Sequence, residues 1–210
     1  MIKVIIADDH PIVREGLKKI LGKTPDLVIV DDVGSGEELL IKVSANEYDV
    51  VLLDLSLPGR GGLEILEQLR KEKPKLPVLV LSIHPEKLYA VRVLKAGASG
   101  YLNKDEAPAE LLKAIRKVFS GGKYVSTAVA EILAADLEAG HETAPHELLS
   151  NREYQVMRLI ASGKTVKAVA AELSLSSRTV STYRSRVLQK MKLNNNAELT
   201  YYAIKNGLVD

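Results

Sequence analysis

The chain has 210 residues and an ordinary globular composition, 46% hydrophobic and 27% charged, and its lack of cysteine excludes disulfide bonds and thiolate metal sites. Charge is uneven along it: residues 1–120 hold 18 basic and 18 acidic side chains, residues 121–149 hold 1 and 5, and residues 150–210 hold 10 and 4. No apolar run has the length of a membrane span or the form of a signal peptide, so we expect a cytoplasmic protein with no membrane partner.

Apolar runs alternate with amphipathic stretches in the first part of the chain, which predicts a domain over residues 1–120. The runs are short, rich in Val, Ile and Leu, and typical of buried parallel strands. They are Val4–Ala7, Leu27–Asp31, Val50–Leu53, Val78–Leu81 and Gly100–Leu102. The five stretches that follow them carry apolar residues at helical spacing, often with Gly or Pro at their ends. The pattern predicts an α/β domain with a doubly wound five-stranded parallel sheet.

Polar side chains close four of these strands. Asp8 and Asp9 follow the first strand, Asp54 ends the third, Ser82 the fourth and Lys104 the fifth. In a doubly wound sheet these positions meet at the carboxyl edge, where ligands bind. Clustered carboxylates repel one another unless a cation neutralises them, and oxygen ligands without cysteine favour Mg²⁺. A carboxylate beside the metal can attack phosphorus, while a lysine neutralises the phosphoryl oxygens.

With these residues, positions 1–120 resemble the receiver domain of bacterial response regulators, a flavodoxin-like fold. The resemblance implies that Asp54 is the phospho-acceptor and that Asp9 and Asp54 bind Mg²⁺ with the backbone carbonyl of Ser56, Asp8 acting partly through water. It also implies that Lys104 and Ser82 contact the phosphoryl group and that Tyr101 turns inward behind Ser82 on phosphorylation.

Two further positions lie close to the acceptor. Ser56 and His84 stand two residues after Asp54 and Ser82. In the receiver family such positions tune the hydrolysis of the aspartyl phosphate, but exposed loop residues without a special role fit the pattern as well.

Residues 121–147 are predicted to be a linker. A helix can begin at about Thr127, and Gly140 and Pro145 break regular structure after it. The acidic charge allows two interpretations, a solubilising tether or an autoinhibitory contact with the basic end of the chain.

Residues 148–210 are predicted to form a second, all-α domain of four helices. Ser150 and Glu153 form a capping box at the first helix. A second short helix from Lys164 is followed by the tight turn SLS and by a third helix, SSRTVSTYRSRVLQKMKL. Two helices joined in this way, the second polar and basic on its outer face, suit the major groove of DNA.

This second segment resembles the C-terminal helix-turn-helix domain of the LuxR/FixJ family, although Ser181 and Tyr183 stand where the family commonly has Lys and His. The resemblance predicts that double-stranded DNA is a partner. By position, the base-facing candidates are Ser181, Thr182 and Ser185, with Thr179 beside them. The phosphate-contacting candidates are Lys164, Arg178, Arg184 and Lys190.

Together, the two segments resemble a response regulator of the NarL/FixJ family. The resemblance implies a non-enzymatic transcription regulator that receives a phosphoryl group from a sensor histidine kinase, dimerises when phosphorylated and binds DNA. Two alternatives stay open: a regulator that uses its receiver only as a dimer scaffold, and an aspartyl-phosphate hydrolase. The hydrolase is disfavoured because such enzymes typically carry a second acid where this chain has Ser56.

Overall fold

The computed structural model describes residues 1–83, 86–105, 107–138 and 144–209. The chain divides into two compact units, Met1–Gly140 and His141–Asp210. None of the described helices is both long enough and apolar enough to cross a bilayer.

The first unit is built on a five-stranded parallel sheet. Its strands are β1 (Ile2–Ala7), β2 (Leu27–Val33), β3 (Val50–Asp54), β4 (Val78–Ser82) and β5 (Gly100–Asn103), in the spatial order β2-β1-β3-β4-β5. The helices between and after them are α1 (Pro11–Leu21), α2 (Gly36–Ala45), α3 (Gly62–Glu72), α4 (Glu86–Lys95) and α5 (Ala107–Phe119). The predicted doubly wound α/β fold is therefore confirmed, and its strand order reverses between β1 and β3.

Burial explains why β3 and β4 are apolar up to their last residue. Every residue of β3 and β4 is buried, because helices cover both faces of the sheet. On one face, strand residues such as Val4 and Leu52 form a single hydrophobic cluster with Leu17 of α1 and Ile115 of α5. The strand ends, and the polar residues on them, are fixed by this core.

The edge strand β2 extends beyond its predicted end at Asp31. Its pairing with β1 continues to Val33, with a register shift between Val4 and Ile5. The acidic residues of this strand form ion pairs with nearby helices. Lys42 pairs with Asp31 at 2.6 Å, and Arg14 and Lys18 of α1 pair with Asp32. Ion pairing therefore lets the strand continue through residues that a sequence pattern marks as its end.

The segment after α5 packs on the first unit. Tyr124 forms a bridge beside Gly100, where its amide donates to the Ser99 carbonyl and its carbonyl accepts from the Tyr101 amide. Helix α6 (Thr127–Glu138) follows and contacts α4. Val129 of α6 is fully buried, and the Ser126 hydroxyl donates to Glu86 Oε2 at 2.7 Å. Residues 123–138 therefore pack on the first unit and do not form a free tether, one of the two interpretations that the sequence left open.

The second unit is entirely helical. A 3₁₀ turn (Pro145–Leu148) precedes α7 (Asn151–Ala161), α8 (Val166–Glu172), α9 (Ser177–Met191) and α10 (Asn196–Lys205). The predicted capping box is present, since Ser150 Oγ accepts from the Glu153 amide and Glu153 accepts from the Ser150 amide. Between α8 and α9, Ser174 takes a left-handed conformation with φ of 53°. The sequence analysis did not predict the 3₁₀ turn.

Candidate functional site

The carboxyl edge of the sheet collects the polar residues predicted to meet there. Asp8 follows β1, Asp54 and Ser82 are the last residues of β3 and β4, and Lys104 follows β5. The Lys104 ammonium bridges two carboxylates, with Nζ 2.7 Å from Asp8 Oδ2 and 2.8 Å from Asp54 Oδ2. All three side chains are largely withdrawn from water, the Asp54 side chain being 1% exposed. The strand ends therefore build a compact, charged and buried centre.

Asp9 and His10 complete this centre on its open side. The ligand atoms of Asp8, Asp9, His10 and Asp54 all lie within 4.8 Å of one another. Two buried oxygens, Asp8 Oδ2 and Asp9 Oδ1, lack a partner of hydrogen-bonding geometry among the described residues. Each lies 2.7 Å from a nitrogen, Lys104 Nζ for Asp8 and His10 Nδ1 for Asp9, but three carboxylates here share a single lysine and repel one another. The oxygen-rich donor set therefore fits a hard divalent cation.

Burial and charge act in opposite directions on the ionisable groups of the centre. Burial raises the pKa of Asp54, and the attraction of Lys104 only partly offsets this. Burial alone would lower the pKa of Lys104, but the Asp54 and Asp8 carboxylates outweigh it and raise that pKa above its ordinary value. The lysine is therefore a permanent cation beside a carboxylate that its surroundings disfavour as an anion.

Backbone groups hold the acidic residues in place. The Ser56 amide donates to Asp54 Oδ1 at 3.1 Å. Gly62, the first residue of α3, lies so close to the Asp54 carbonyl that a Cβ at this position would overlap it. On the other side, Arg14 Nη1 donates to the Asp8 carbonyl at 2.7 Å. The sequence analysis missed Arg14, whose only signal is its place one turn into the helix that follows the acidic pair.

Ser82 and Tyr101 lie together behind the charged centre. Both are buried, with Tyr101 only 1% exposed. Burial raises the pKa of Tyr101, and a hydrogen bond with the Ser82 hydroxyl acts against that rise. Tyr101 thus already occupies the inward position that the sequence resemblance associates with phosphorylation. His84 lies outside the described residues.

In the second unit, helix α9 presents the predicted DNA-facing side chains. Arg178, Ser181, Thr182 and Ser185 are exposed, and Thr179 is half-buried beside its N-cap Ser176. The Thr182 and Ser185 hydroxyls donate to carbonyls four residues earlier, which leaves their oxygen lone pairs free to accept. A shallow cavity of about 300 Å³ runs along this face and adds two residues that the sequence analysis had not selected. It is lined by Arg178, Thr179, Thr182, Tyr183 and Arg186.

Three of the predicted phosphate-contacting residues already have partners inside the domain. Lys164 Nζ lies 2.5 Å from Glu172 Oε2, and Lys190 Nζ lies 2.6 Å from Glu153 Oε2. Arg184 Nε donates to Asn196 Oδ1 at 2.6 Å. Of the four candidates, only Arg178 therefore shows no ion pair or side-chain hydrogen bond of its guanidinium among the described residues.

A buried acidic rim on a doubly wound sheet is the arrangement expected of a receiver domain, and the comparisons with known proteins agree. The family model described as "Response regulator receiver domain" matches residues 4–116, and the one described as "Bacterial regulatory proteins, luxR family" matches residues 147–203. The chain belongs to the NarL/FixJ family of two-component response regulators, which are DNA-binding transcription regulators under receiver control.

Relatives cover the whole chain. It is 37% identical over 209 residues to the response regulator UvrY of Escherichia coli strain K12, an alignment that spans 99% of this chain and 96% of UvrY. It is 36% identical over 211 residues to GacA of Pseudomonas aeruginosa, spanning 100% of this chain and 99% of GacA.

Solved structures of RcsB show a similar overall fold. RcsB from Salmonella enterica serovar Typhimurium, bound to promoter rprA in the presence of phosphomimetic BeF₃⁻, matches with a TM-score of 0.63 and 27% identity, over 96% of this chain and 97% of that one. A structure of two RcsB dimers bound to two parallel DNAs matches with a TM-score of 0.59 and 28% identity, over 96% of each chain.

Proposed function

We propose that Asp54 accepts a phosphoryl group from a sensor histidine kinase and that Lys104 holds the incoming phosphoryl oxygens. The carrying observation is the bridge from Lys104 to Asp54 and Asp8 in a buried centre. A cation fixed 2.8 Å from the acceptor carboxylate can neutralise charge that develops on the transferred group. The amide of Ser56 orients the other acceptor oxygen, so one oxygen atom of Asp54 can be presented to phosphorus.

We assign the cation of this centre as Mg²⁺. Asp8, Asp9 and Asp54, with the backbone carbonyl of Ser56, would hold it. The ligand atoms of the three carboxylates lie within 4.8 Å of one another around a single lysine, and this excess of negative charge supports the assignment. When bound, Mg²⁺ would supply positive charge to the phosphoryl oxygens, a role that complements that of Lys104.

Ser82 and Tyr101 are proposed to carry the change outward. If the Ser82 hydroxyl turned to hydrogen-bond the phosphoryl group, it would break its present hydrogen bond with Tyr101. The Tyr101 amide bonds the Tyr124 carbonyl, so β5 connects the rim to the segment that precedes α6. This is a continuous path within the first unit.

The second unit is proposed to place α9 in the major groove of double-stranded DNA. Ser181, Thr182 and Ser185, with Thr179, face the bases, and Arg178 contacts phosphate together with Lys164 and Arg184. The exposed polar face of α9 and the net positive charge of residues 150–210 support this. Lys190 was predicted from the sequence to belong to the same phosphate-contacting set.

We further propose that the phosphorylated chain acts as a homodimer in the cytoplasm and is not an enzyme. RcsB, a structural neighbour, is described as dimers on DNA, which supports the first part. The residue two positions after the acceptor is Ser56, so the site lacks the second acid expected of an aspartyl-phosphate hydrolase.

Phosphoryl acceptance is tested with an acyl phosphate donor and intact-protein mass spectrometry. The wild type should gain one phosphoryl group when Mg²⁺ is present and none when it is chelated. Asp54→Asn should gain none, whereas Asp105→Asn, an exposed acid beside Lys104, should behave as the wild type. Equal labelling of Asp54→Asn and the wild type would refute the assignment.

DNA pull-down from fragmented genomic DNA, with and without the donor, tests the coupling of the two units. The proposed function expects donor-dependent enrichment of discrete sites by the wild type and its absence in Asp54→Asn. The scaffold alternative, in which the receiver acts without phosphorylation, expects identical enrichment for both proteins under both conditions.

A further inference from the structure

Lys164 and Lys190 were both predicted to contact phosphate, yet their partners lie in very different surroundings. Lys164 is 42% exposed and pairs with Glu172, which is 45% exposed. Lys190 is 43% exposed and pairs with Glu153, which is only 4% exposed. The two lysines are almost equally exposed. The burial of the partner carboxylate therefore decides whether each lysine can break its ion pair and turn to DNA.

The Glu153 carboxylate has a structural task of its own. Its Oε2 accepts from the Ser150 amide at 2.7 Å and lies 2.6 Å from Lys190 Nζ. Burial would raise the pKa of Glu153, but its bonds to Lys190 and Ser150 hold that pKa below the ordinary value. Removing the lysine would leave a buried carboxylate without a counter-charge, which is far more costly than breaking an exposed pair.

The pair joins two elements that define the DNA-binding geometry. Lys190 lies in the last turn of α9, between Val187 and Met191, which are both buried. Glu153 lies in the first turn of α7, and its capping box fixes where that helix begins. The ion pair therefore joins the last turn of α9 to the first turn of α7, and these two helices pack against each other.

We propose that Lys190 is a positioning residue of the recognition helix and does not contact DNA phosphate. This inference rests on the proposed DNA-facing role of α9 and revises one member of its contact set. Lys164 remains a phosphate contact, because an exposed pair contributes little and is readily exchanged for a phosphate oxygen.

Salt dependence separates the two roles. Each phosphate contact contributes about 0.9 to the slope of log affinity against log salt concentration. The full-length chain is titrated with a labelled random-sequence duplex at several KCl concentrations. Lys164→Met and Arg178→Ala should each lower the slope by about 0.9, whereas Lys190→Met should keep the wild-type slope and lose the same factor of affinity at every salt concentration.

Hydrogen exchange of α7 and α9 amides provides the second readout. Lys190→Met and Glu153→Gln should each raise the local opening equilibrium about fivefold to tenfold, and the double variant should be no worse than the poorer single one. Lys190→Arg, which preserves the charge, should restore slow exchange. Lys164→Met should leave these amides unchanged.

A slope reduced by about 0.9 in Lys190→Met, with exchange at α7 and α9 unchanged, would overturn the inference. Failure of the wild type to bind the duplex, or an unchanged slope in Arg178→Ala, would instead contradict the proposed DNA-facing surface. In that event the exchange measurements would still decide whether Lys190 and Glu153 act as a pair.

Discussion

The two units use charge in opposite ways. In the receiver, Lys104 and its two carboxylate partners are buried, and the lysine offsets part of their negative charge inside the fold. On α9, Arg178 and the hydroxyl residues Ser181 and Thr182 face water, where we propose that they contact DNA. A buried charge needs a counter-charge close to it, so packing constrains the receiver centre, whereas the exposed face of α9 needs no such internal balance.

The difference predicts that charge removal affects fold stability in the receiver but DNA affinity on α9. Removal of the Lys104 charge should first damage the fold, because the Asp8 and Asp54 carboxylates that it leaves unpaired are buried. Removal of an α9 charge should first damage affinity and leave the fold intact. The following variants test that contrast, beginning with the one expected to have the largest effect.

Lys104→Met should lower the free energy of unfolding of the receiver by about 3–5 kcal/mol at pH 8 without metal, because Asp8 and Asp54 lose their shared counter-charge. Lowering the pH should recover part of the loss, since burial already raises the pKa of Asp54 and its protonation removes the buried anion. Hydrogen exchange of β3 and β4 amides in urea measures this.

The matched control is Lys113→Met, an exposed lysine of α5 that pairs with Glu110. Its receiver stability should be that of the wild type at every pH. If both variants lost the same stability, the burial of the Lys104 centre would not be the cause.

Val129→Ala should reduce receiver stability by about 1–3 kcal/mol, because the side chain is fully buried where α6 contacts α4. Exchange should accelerate in both helices and stay unchanged in α7–α10. The exposed residue Ile41 supplies the control, since Ile41→Ala should change stability by less than about 0.5 kcal/mol. Faster exchange confined to α6 would indicate a tether instead of an integral element.

The sequence predicts the receiver site well because burial constrains it. Apolar runs mark the buried strands, and parallel strands carry their terminal residues to one edge, so Asp54, Ser82 and Lys104 are brought together before any coordinates are known. The position of Tyr101 behind Ser82 followed only from family resemblance. Arg14 could not be selected, because its target is a backbone carbonyl that has no side-chain signature.

The packing of the Tyr124 segment on the sheet and the pairing of Lys190 with Glu153 could not be predicted from the sequence, for a different reason. Tyr124 adds to the sheet through backbone hydrogen bonds next to Gly100, where a Cβ would lie 2.6 Å from the Tyr124 carbonyl oxygen. Likewise, Lys190 and Glu153 are 37 residues apart and meet only through helix packing. Contacts of this kind depend on tertiary geometry, and a local pattern carries no information about them.

On the DNA-facing surface, Ser181→Ala should reduce discrimination between a target found by pull-down and random DNA by about fivefold, or about 1 kcal/mol. The salt slope should not change, because a hydroxyl that reads a base releases no counterion. Fold stability should also stay at the wild-type value, since Ser181 is exposed. Ser177→Ala, an exposed serine at the start of the same helix, serves as the control for helix propensity. A reduced slope would reassign Ser181 to phosphate.

The smallest expected effect contrasts two buried carboxylates, one in each unit. The folded pKa of Asp54 is raised, so the folded receiver binds its proton more tightly, and its stability should increase as the pH falls toward the ordinary value of 3.8. The folded pKa of Glu153 is lowered, so its contribution of about 1 kcal/mol is complete above the ordinary value of 4.5 and is lost as the pH falls through the folded pKa. Hydrogen exchange of β3 and α7 amides is measured between pH 6 and pH 3. The stability contribution of Asp54 is the difference between the wild type and Asp54→Asn, and that of Glu153 is the difference between the wild type and Glu153→Gln. These two contributions should change with pH in opposite directions. Slopes of the same sign would mean that the environments of the two carboxylates do not differ as their burial and partners require.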